Sequence, residues 1–459
     1  MKRVAPFGMG EVPIQLPKNN RVSGPMKVFP DEILLNMIRH LGEEYQLTLR
    51  SSCRKFYHLI LLNPPVRFLH KPVDFCAKVA EQGYFPLLKW GREQGMHWDE
   101  RVCAQAAWRG NLEFLEWAKT NGAPWDSRTG AHAANRGHLE ILKWARANGL
   151  PWDESICSYA ALEGQFEVLK WARKKGASFS PLTCANVAVS GQLEILQWAR
   201  ENEAPWDVTT CAFAALGGHL ELLKWARANG APWNESACAM AAKGGHLELL
   251  QWARANGAPW NEWTCNFAAK GGYFDLLKWA RANGAPWTEL TCSHAASGGH
   301  VEMLKWLREN ECPWDENTCS EAAADGRLEI LMWARANNCP WDQYTCAQAA
   351  LQGHLQVLQW ARANGAPWDK STCDSAAKNG HLEVLKWARA NEAPWSKWTC
   401  ANAARFGHLE VVRWALGNGA PWNAQLCATE AKEGGKLTVL RRVGTKRGAA
   451  AERAHVASV

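Results

Sequence analysis

The sequence predicts an all-α solenoid of 27-residue helix-turn-helix repeats, and three observations predict it. A unit such as Cys238–Thr264, CAMAAKGGHLELLQWARANGAPWNEWT, recurs in register from Cys76 to Leu426, thirteen times and without an insertion. A fixed period of this size marks stacked supersecondary units. Counting from its Cys as position 1, position 8 is Gly in every copy, from Gly83 to Gly434, and position 24 is a helix-capping residue, from Asp99 to Asn423. Between those marks the apolar residues fall at helical spacing.

Each element of the unit has its reason. The first helix starts after position 24, whose side chain accepts from an orphan N–H of the first turn, and position 25 is often Glu, which suits the positive end of the helix dipole. It runs about ten residues to the Gly at position 8, where a left-handed stop is easiest. Position 5 is Ala in all fourteen copies, so a neighbouring backbone can come close. The second helix covers positions 9 to 18. There 10, 12, 13, 15 and 16 are apolar or small, while 11, 14, 17 and 18 are mostly Glu, Lys, Arg and Asn, a wide buried face with one polar strip. Nine copies place a second Gly at position 20, which ends it. Two helices this short do not stand alone in water, so the units must stack. At roughly 8–10 Å per layer the array spans on the order of 100–130 Å.

Of 28 Trp, thirteen occupy position 15 and twelve position 23. Such columns could stack nucleobases, or fill a buried core slot. Binding residues should differ between copies and these do not, so both columns are assigned to the core.

The unit resembles the ankyrin repeat. Ala376–Ala377, the run Gly380–His381–Leu382–Glu383–Val384–Leu385–Lys386 and the Asn391 turn match the helical half of that family's pattern. The two Trp columns fall where ankyrins carry Leu and Val. Ankyrin units run about 33 residues, so the β-turn finger is shortened, and its TPLH sequence is absent. The resemblance implies a helix pair with a concave recognition surface.

At 459 residues with 47% apolar and 21% charged residues, the chain is long enough for a large core. Residues 1–25 read as a disordered basic tail without the apolar stretch of a signal peptide, and no run of 18 apolar residues occurs. Residues 26–62 form one helix opened by Pro30 and one or two more, a unit too small to bury a good core alone. This stretch resembles an F-box: Pro30, Glu32, Ile33, Ile38, Leu41, Cys53, Arg54 and Phe56 sit at matching places, with Phe29 for the usual Leu and Ser52 for Val. The resemblance implies docking to the Skp-type adaptor of a cullin–RING ubiquitin ligase through Phe29, Pro30, Ile33, Leu34, Ile38, Leu41, Cys53 and Phe56. The alternative is a helical cap on the array. Residues 63–72 are a Pro-containing linker, 73–440 the solenoid with a C-terminal cap, and 441–459 a basic disordered tail.

Little in the composition carries chemistry. Thirteen of 16 Cys are position 1, a full unit apart and too distant to pair, and Cys312 and Cys339 at position 21 are again one unit apart. No CxxC cluster suggests zinc, so no metal or cofactor is expected, and the thiols fit a reducing compartment, cytoplasm or nucleus. Seven His at position 9, from His138 to His408, read as turn residues bonding backbone between units. Glu at 11 and Lys at 14 form a solvated strip. The net charge of +7 allows acidic partners without requiring them. Nothing resembles a catalytic dyad, so the chain is read as non-enzymatic.

The informative variation lies at positions 26, 3, 6 and 7, one face of the first helix. Its candidate target-binding residues are Trp108, Arg128, His132, Tyr159, Phe213, Trp263, Phe267, Tyr344, Gln348, Trp398, Asn402 and Phe406. An F-box ahead of Trp-rich repeats is similar to F-box/ankyrin families of giant DNA viruses of the pandoravirus type. That resemblance implies a ligase substrate receptor whose array holds a target protein. The alternatives are a bare interaction scaffold and an RNA-reading solenoid. The mixed Phe213, Met240 and Phe267 column argues against the latter.

Overall fold

The structure, a computed structural model, describes residues 73–93, 97–436 and 439. The F-box-like segment 26–62 with its eight candidate adaptor contacts, the 63–72 linker and both tails lie outside the described residues. The described repeats lie in the unit Cys76–Val459.

Among the described residues there are 27 helices and no strand. One unit explains the rest. Asn234 caps the first helix, Glu235–Gly244, by accepting from the Ser236 N–H at 3.0 Å. Gly245 ends it with φ 77°, and the second helix, Leu247–Ala255, follows His246 at once. Asn256 closes that helix, its Nδ2 donating to the Trp252 carbonyl at 2.8 Å, and Gly257 turns the chain with φ 83°. Where position 20 is not Gly, Glu203, Glu311, Asn338 and Glu392 still take φ of 62–66°. The backbone need outranks the residue's preference there.

Small residues set the packing. Cys238, Ala241 and Ala242 of the first helix and Leu250 and Ala253 of the second are fully buried. Successive first helices lie directly against one another, as the alanine at position 5 allows, whereas successive second helices stand further apart. Each buried Leu contributes about 1.5–3 kcal/mol. The last copy departs from the others. Gly434 is right-handed at φ −74°, and the left-handed turn passes to Gly435 at φ 67°. A Cβ at Gly434 would lie 1.9 Å from the Arg405 carbonyl oxygen. Glu430, where other units have a small apolar residue, accepts from Arg405 Nη1 at 2.7 Å.

The tryptophan columns correct the expectation of a buried core slot. Trp98 is buried, but the other described members of both columns are half-buried. They form a ladder along the second helices. The position-23 ring of one unit meets the position-15 ring of the next edge to face, as in Trp233–Trp252 at 6.0 Å and Trp260–Trp279 at 6.0 Å. The Arg at position 17 lies over the position-23 ring, 4.1 Å away for Arg227 on Trp233, and its Nη1 donates to the Ala231 carbonyl. The ring edges stay wet, and the guanidinium covers what the neighbouring helix does not.

Candidate functional site

The first helix of each unit buries positions 27, 1, 4 and 5 and turns 26, 3, 6 and 7 away from the core, except that Asn135 and Ser297 at position 6 are buried. Ten large hydrophobic side chains are exposed among the described residues, and eight stand on that face: Trp108, Tyr159, Leu182, Trp263, Leu290, Tyr344, Trp398 and Phe406. Their exposure runs from 37% for Trp108 to 59% for Tyr344. Leu182 and Leu290 were not singled out from sequence, although they share position 26 with Trp263, Tyr344 and Trp398.

Apart from the exposed Tyr159 and Thr429, position 3 is only half open, because it meets the preceding unit. His132 Nδ1 donates to the Ala104 carbonyl at 3.1 Å, and Asn402 Nδ2 to the Asp374 carbonyl at 3.3 Å. These two candidates therefore tie units together, and Phe213, Phe267 and Gln348 are half-buried in the same column. Arg128 is exposed but already paired, with Asp126 at 2.8 Å and across the unit boundary with Glu100 at 2.7 Å. The Glu100 carboxyl lies below its ordinary range, held there by its own helix N–H first and by Arg128 second.

Two places on the face are concave. Trp263 and Phe267 lie 5.3 Å apart and, with Met240, Ala239, Asn261, Ser236 and Glu235, line a pocket of about 370 Å³. Further toward the N-terminus Trp108, Arg109, Asn135, Arg136, His138, Glu163 and Gln165 line a more polar one of about 410 Å³. There Arg136 lies 4.9 Å from the Trp108 ring and His132 meets its edge at 5.5 Å.

The residues read as structural behave so. His138, His219, His246, His300 and His408 each donate Nε2 to the position-6 carbonyl of the preceding unit, at 3.0–3.2 Å. Each ring covers the preceding position-8 glycine. A Cβ at Gly218 would come within 2.5 Å of the His246 ring. Exposed pairs such as Lys224–Glu221 line the second helices. The position-1 thiols are buried, and burial pushes Cys238 and Cys265 up to about 12, which makes them poor nucleophiles. The position-21 cysteines lie against position 1 of their own unit: Cys292 Sγ donates to the Cys312 backbone carbonyl at 3.9 Å, while the Cys312 and Cys339 thiols donate to the Thr288 and Asp315 carbonyls at 3.7 and 3.5 Å. Weighing Cys312 only against Cys339 from sequence missed that contact. No group of described residues could hold a metal ion.

A family model described as ankyrin repeats (many copies) matches residues 131–180, 238–280, 265–308 and 345–389. The array is an ankyrin-like solenoid. Arrays of this type are protein-interaction scaffolds. Among solved structures, the human ASB11 ankyrin repeat domain is 18% identical, covering 42% of this chain and 97% of its own, with a TM-score of 0.31. The maize pentatricopeptide repeat protein PPR10 is 14% identical over 91% of this chain and 68% of its own, with a TM-score of 0.32. No curated protein matches the sequence. No helix among the described residues is long and apolar enough to cross a membrane.

Proposed function

We propose that the array is the target-binding part of a substrate receptor for a cullin–RING ubiquitin ligase. The observation that carries target binding is that eight of the ten exposed large hydrophobic side chains among the described residues stand on one face of the first helices. Apolar side chains gathered on one face, aromatic ones above all, mark surfaces that other proteins cover. Trp108, Tyr159, Trp263, Tyr344, Trp398 and Phe406 are the anchors in this reading, and Phe213, Phe267 and Gln348 shape the floor between them. A base-reading groove would need repeated polar pairs, whereas Phe213, Met240 and Phe267 follow one another at position 3.

The link to a ligase rests on the F-box resemblance of residues 26–62. In that reading Pro30, Ile33 and their neighbours dock a Skp-type adaptor, and the chain brings a target to the ligase without chemistry of its own. In a virus it would redirect the host's ligase, in cytoplasm or nucleus. The test is capture of a purified Skp-type adaptor by the full chain and by the Pro30→Ala/Ile33→Ala variant. Binding that the double substitution abolishes supports the receptor. No binding by the folded wild type leaves residues 26–62 as a cap and the array as a bare scaffold.

A further inference from the structure

The pocket around Trp263 lies beside a row of carboxylates, and the molecule itself shows what that row pairs with. Glu100 at position 25 of one unit holds Arg128 at position 26 of the next, 2.7 Å across the boundary. The position-25 carboxylate therefore faces position 26 of the following unit. Four consecutive boundaries keep the carboxylate and lose the cation. Glu235 faces Trp263, and by repeat equivalence Glu262 faces Leu290, Glu289 faces Asn317 and Glu316 faces Tyr344. None of these four glutamates has an ion-pair partner among the described residues. The cations on this stretch, Lys243 and Lys270 at position 6, stand in the last turn of helices that the glutamates open, with Lys243 Nζ 5.6 Å from the Phe267 ring.

We propose that this stretch takes an extended basic segment of a partner protein, with a Lys or Arg side chain seated in the pocket between Glu235 and Trp263. The inference rests on the protein-binding reading above and names the partner's chemistry. The pocket offers a cation what Arg128 finds at Glu100, a carboxylate, and adds the face of an indole. An ammonium or guanidinium over Trp gains about 0.5–2 kcal/mol beyond its ion pair. Its alkyl stem packs on Met240 and Phe267. The spacing follows from geometry. Units stack roughly 8–10 Å apart, and an extended or polyproline-type chain rises about 3.1–3.4 Å per residue. Every third residue of the segment therefore returns to the acidic edge, over Glu262, Glu289 and Glu316 in turn. Basic residues at i, i+3, i+6 and i+9 fit the row, and a block of adjacent basic residues does not.

The test uses the full chain and fluorescence anisotropy of labelled synthetic peptides. One carries four Lys at every third position among Ser and Ala, a second has the same composition with the four Lys adjacent, and a third has Glu at the spaced positions. The spaced-lysine peptide is expected to bind about tenfold more tightly than the adjacent one. Trp263→Ala and the Glu262→Gln/Glu289→Gln pair each weaken it about fivefold or more, and Glu221→Gln on a second helix leaves it unchanged. Unchanged melting of each variant shows that the fold is kept. Equal binding of the two lysine peptides, no binding of either, preference for the Glu peptide, or indifference to the substitutions overturns the inference. A partner that needs Trp263 but presents no basic segment would overturn it as well, while leaving the scaffold reading in place.

Discussion

Two aromatic surfaces run the length of the array, and they differ in how they repeat. Along the second helices nearly every boundary carries the same cluster, a cation at position 17 over the position-23 ring and that ring against the next position-15 Trp. Along the first helices no two neighbouring units carry the same pair at positions 26 and 3: Ser236 with Met240, Trp263 with Phe267, Leu290 with His294. Both rows are partly open to solvent, so exposure alone does not separate them. Partnership does. The ladder repeats one set of partners, a position-17 cation over the position-23 ring and that ring against the next position-15 Trp, whereas on the first helices the partners differ from ring to ring: Trp108 meets Arg136 and His132, Trp263 meets Phe267 and His294, and Tyr344 has no ring or cation packed on it among the described residues. Sameness reports the demands of stacking, and difference reports a surface open to recognition.

The comparison breaks most visibly under truncation. Trp252→Ala removes a ring wedged between units and is expected to lower stability by about 3 kcal/mol, read by urea denaturation. Trp263→Ala should stay within about 1 kcal/mol of wild type in the same experiment. Equal losses would place Trp263 among the stacking residues. Gly218→Ala, which forces φ 76° on a side chain that would meet the His246 ring, should cost about 2 kcal/mol or more. Gly257→Ala has the same left-handed φ but open space around its Cβ, so about 1 kcal/mol is expected. Arg254→Ala removes the cation 4.0 Å from Trp260 and its bond to the Ala258 carbonyl, for about 1 kcal/mol.

The smallest effect sharpens the histidine column. Burial holds the His408 imidazole below its ordinary value, and the nearby His381 acts in the same direction against the opposing bond to the Lys378 carbonyl. The folded state thus binds a proton less readily than the unfolded chain. The stability this contributes is complete above the unfolded value near about 6.5 and is lost as pH falls from there toward the lowered folded value. The urea midpoint should drop between neutral and mildly acidic pH. His408→Gln should reduce that drop, because Gln165 already fills position 9, donating to the Asn135 carbonyl at 3.3 Å. An unaltered pH dependence would remove His408 as its source.

What was legible in the sequence was whatever the backbone demands locally. The cap at position 24, the left-handed glycine at 8 and the helical spacing each show in a single unit, so the helix bounds follow from them. Contacts across a boundary were not legible in that way. The columns at 15, 17 and 23 are plain, but nothing within one unit says that Trp233 meets Trp252, or that their edges remain wet. The position-25 glutamates look like helix-dipole residues until Glu100 is seen holding Arg128. Position 3 was read as open because helical spacing places it beside position 26, and only the preceding unit half-buries it. The bond from the Cys292 thiol to the Cys312 backbone carbonyl was missed for the same reason, since 20 residues separate two groups that the turn brings together.

The most direct test asks which aromatic row a partner uses. A protein partner would be captured by the wild type, by Trp263→Ala/Tyr344→Ala and by the ladder variant Trp252→Phe, with the folded state of each verified by melting. Capture lost in the first-helix variant and kept in the ladder variant is the predicted result. Capture kept by Trp263→Ala/Tyr344→Ala and lost with Trp252→Phe would contradict the assignment of recognition to the variable face.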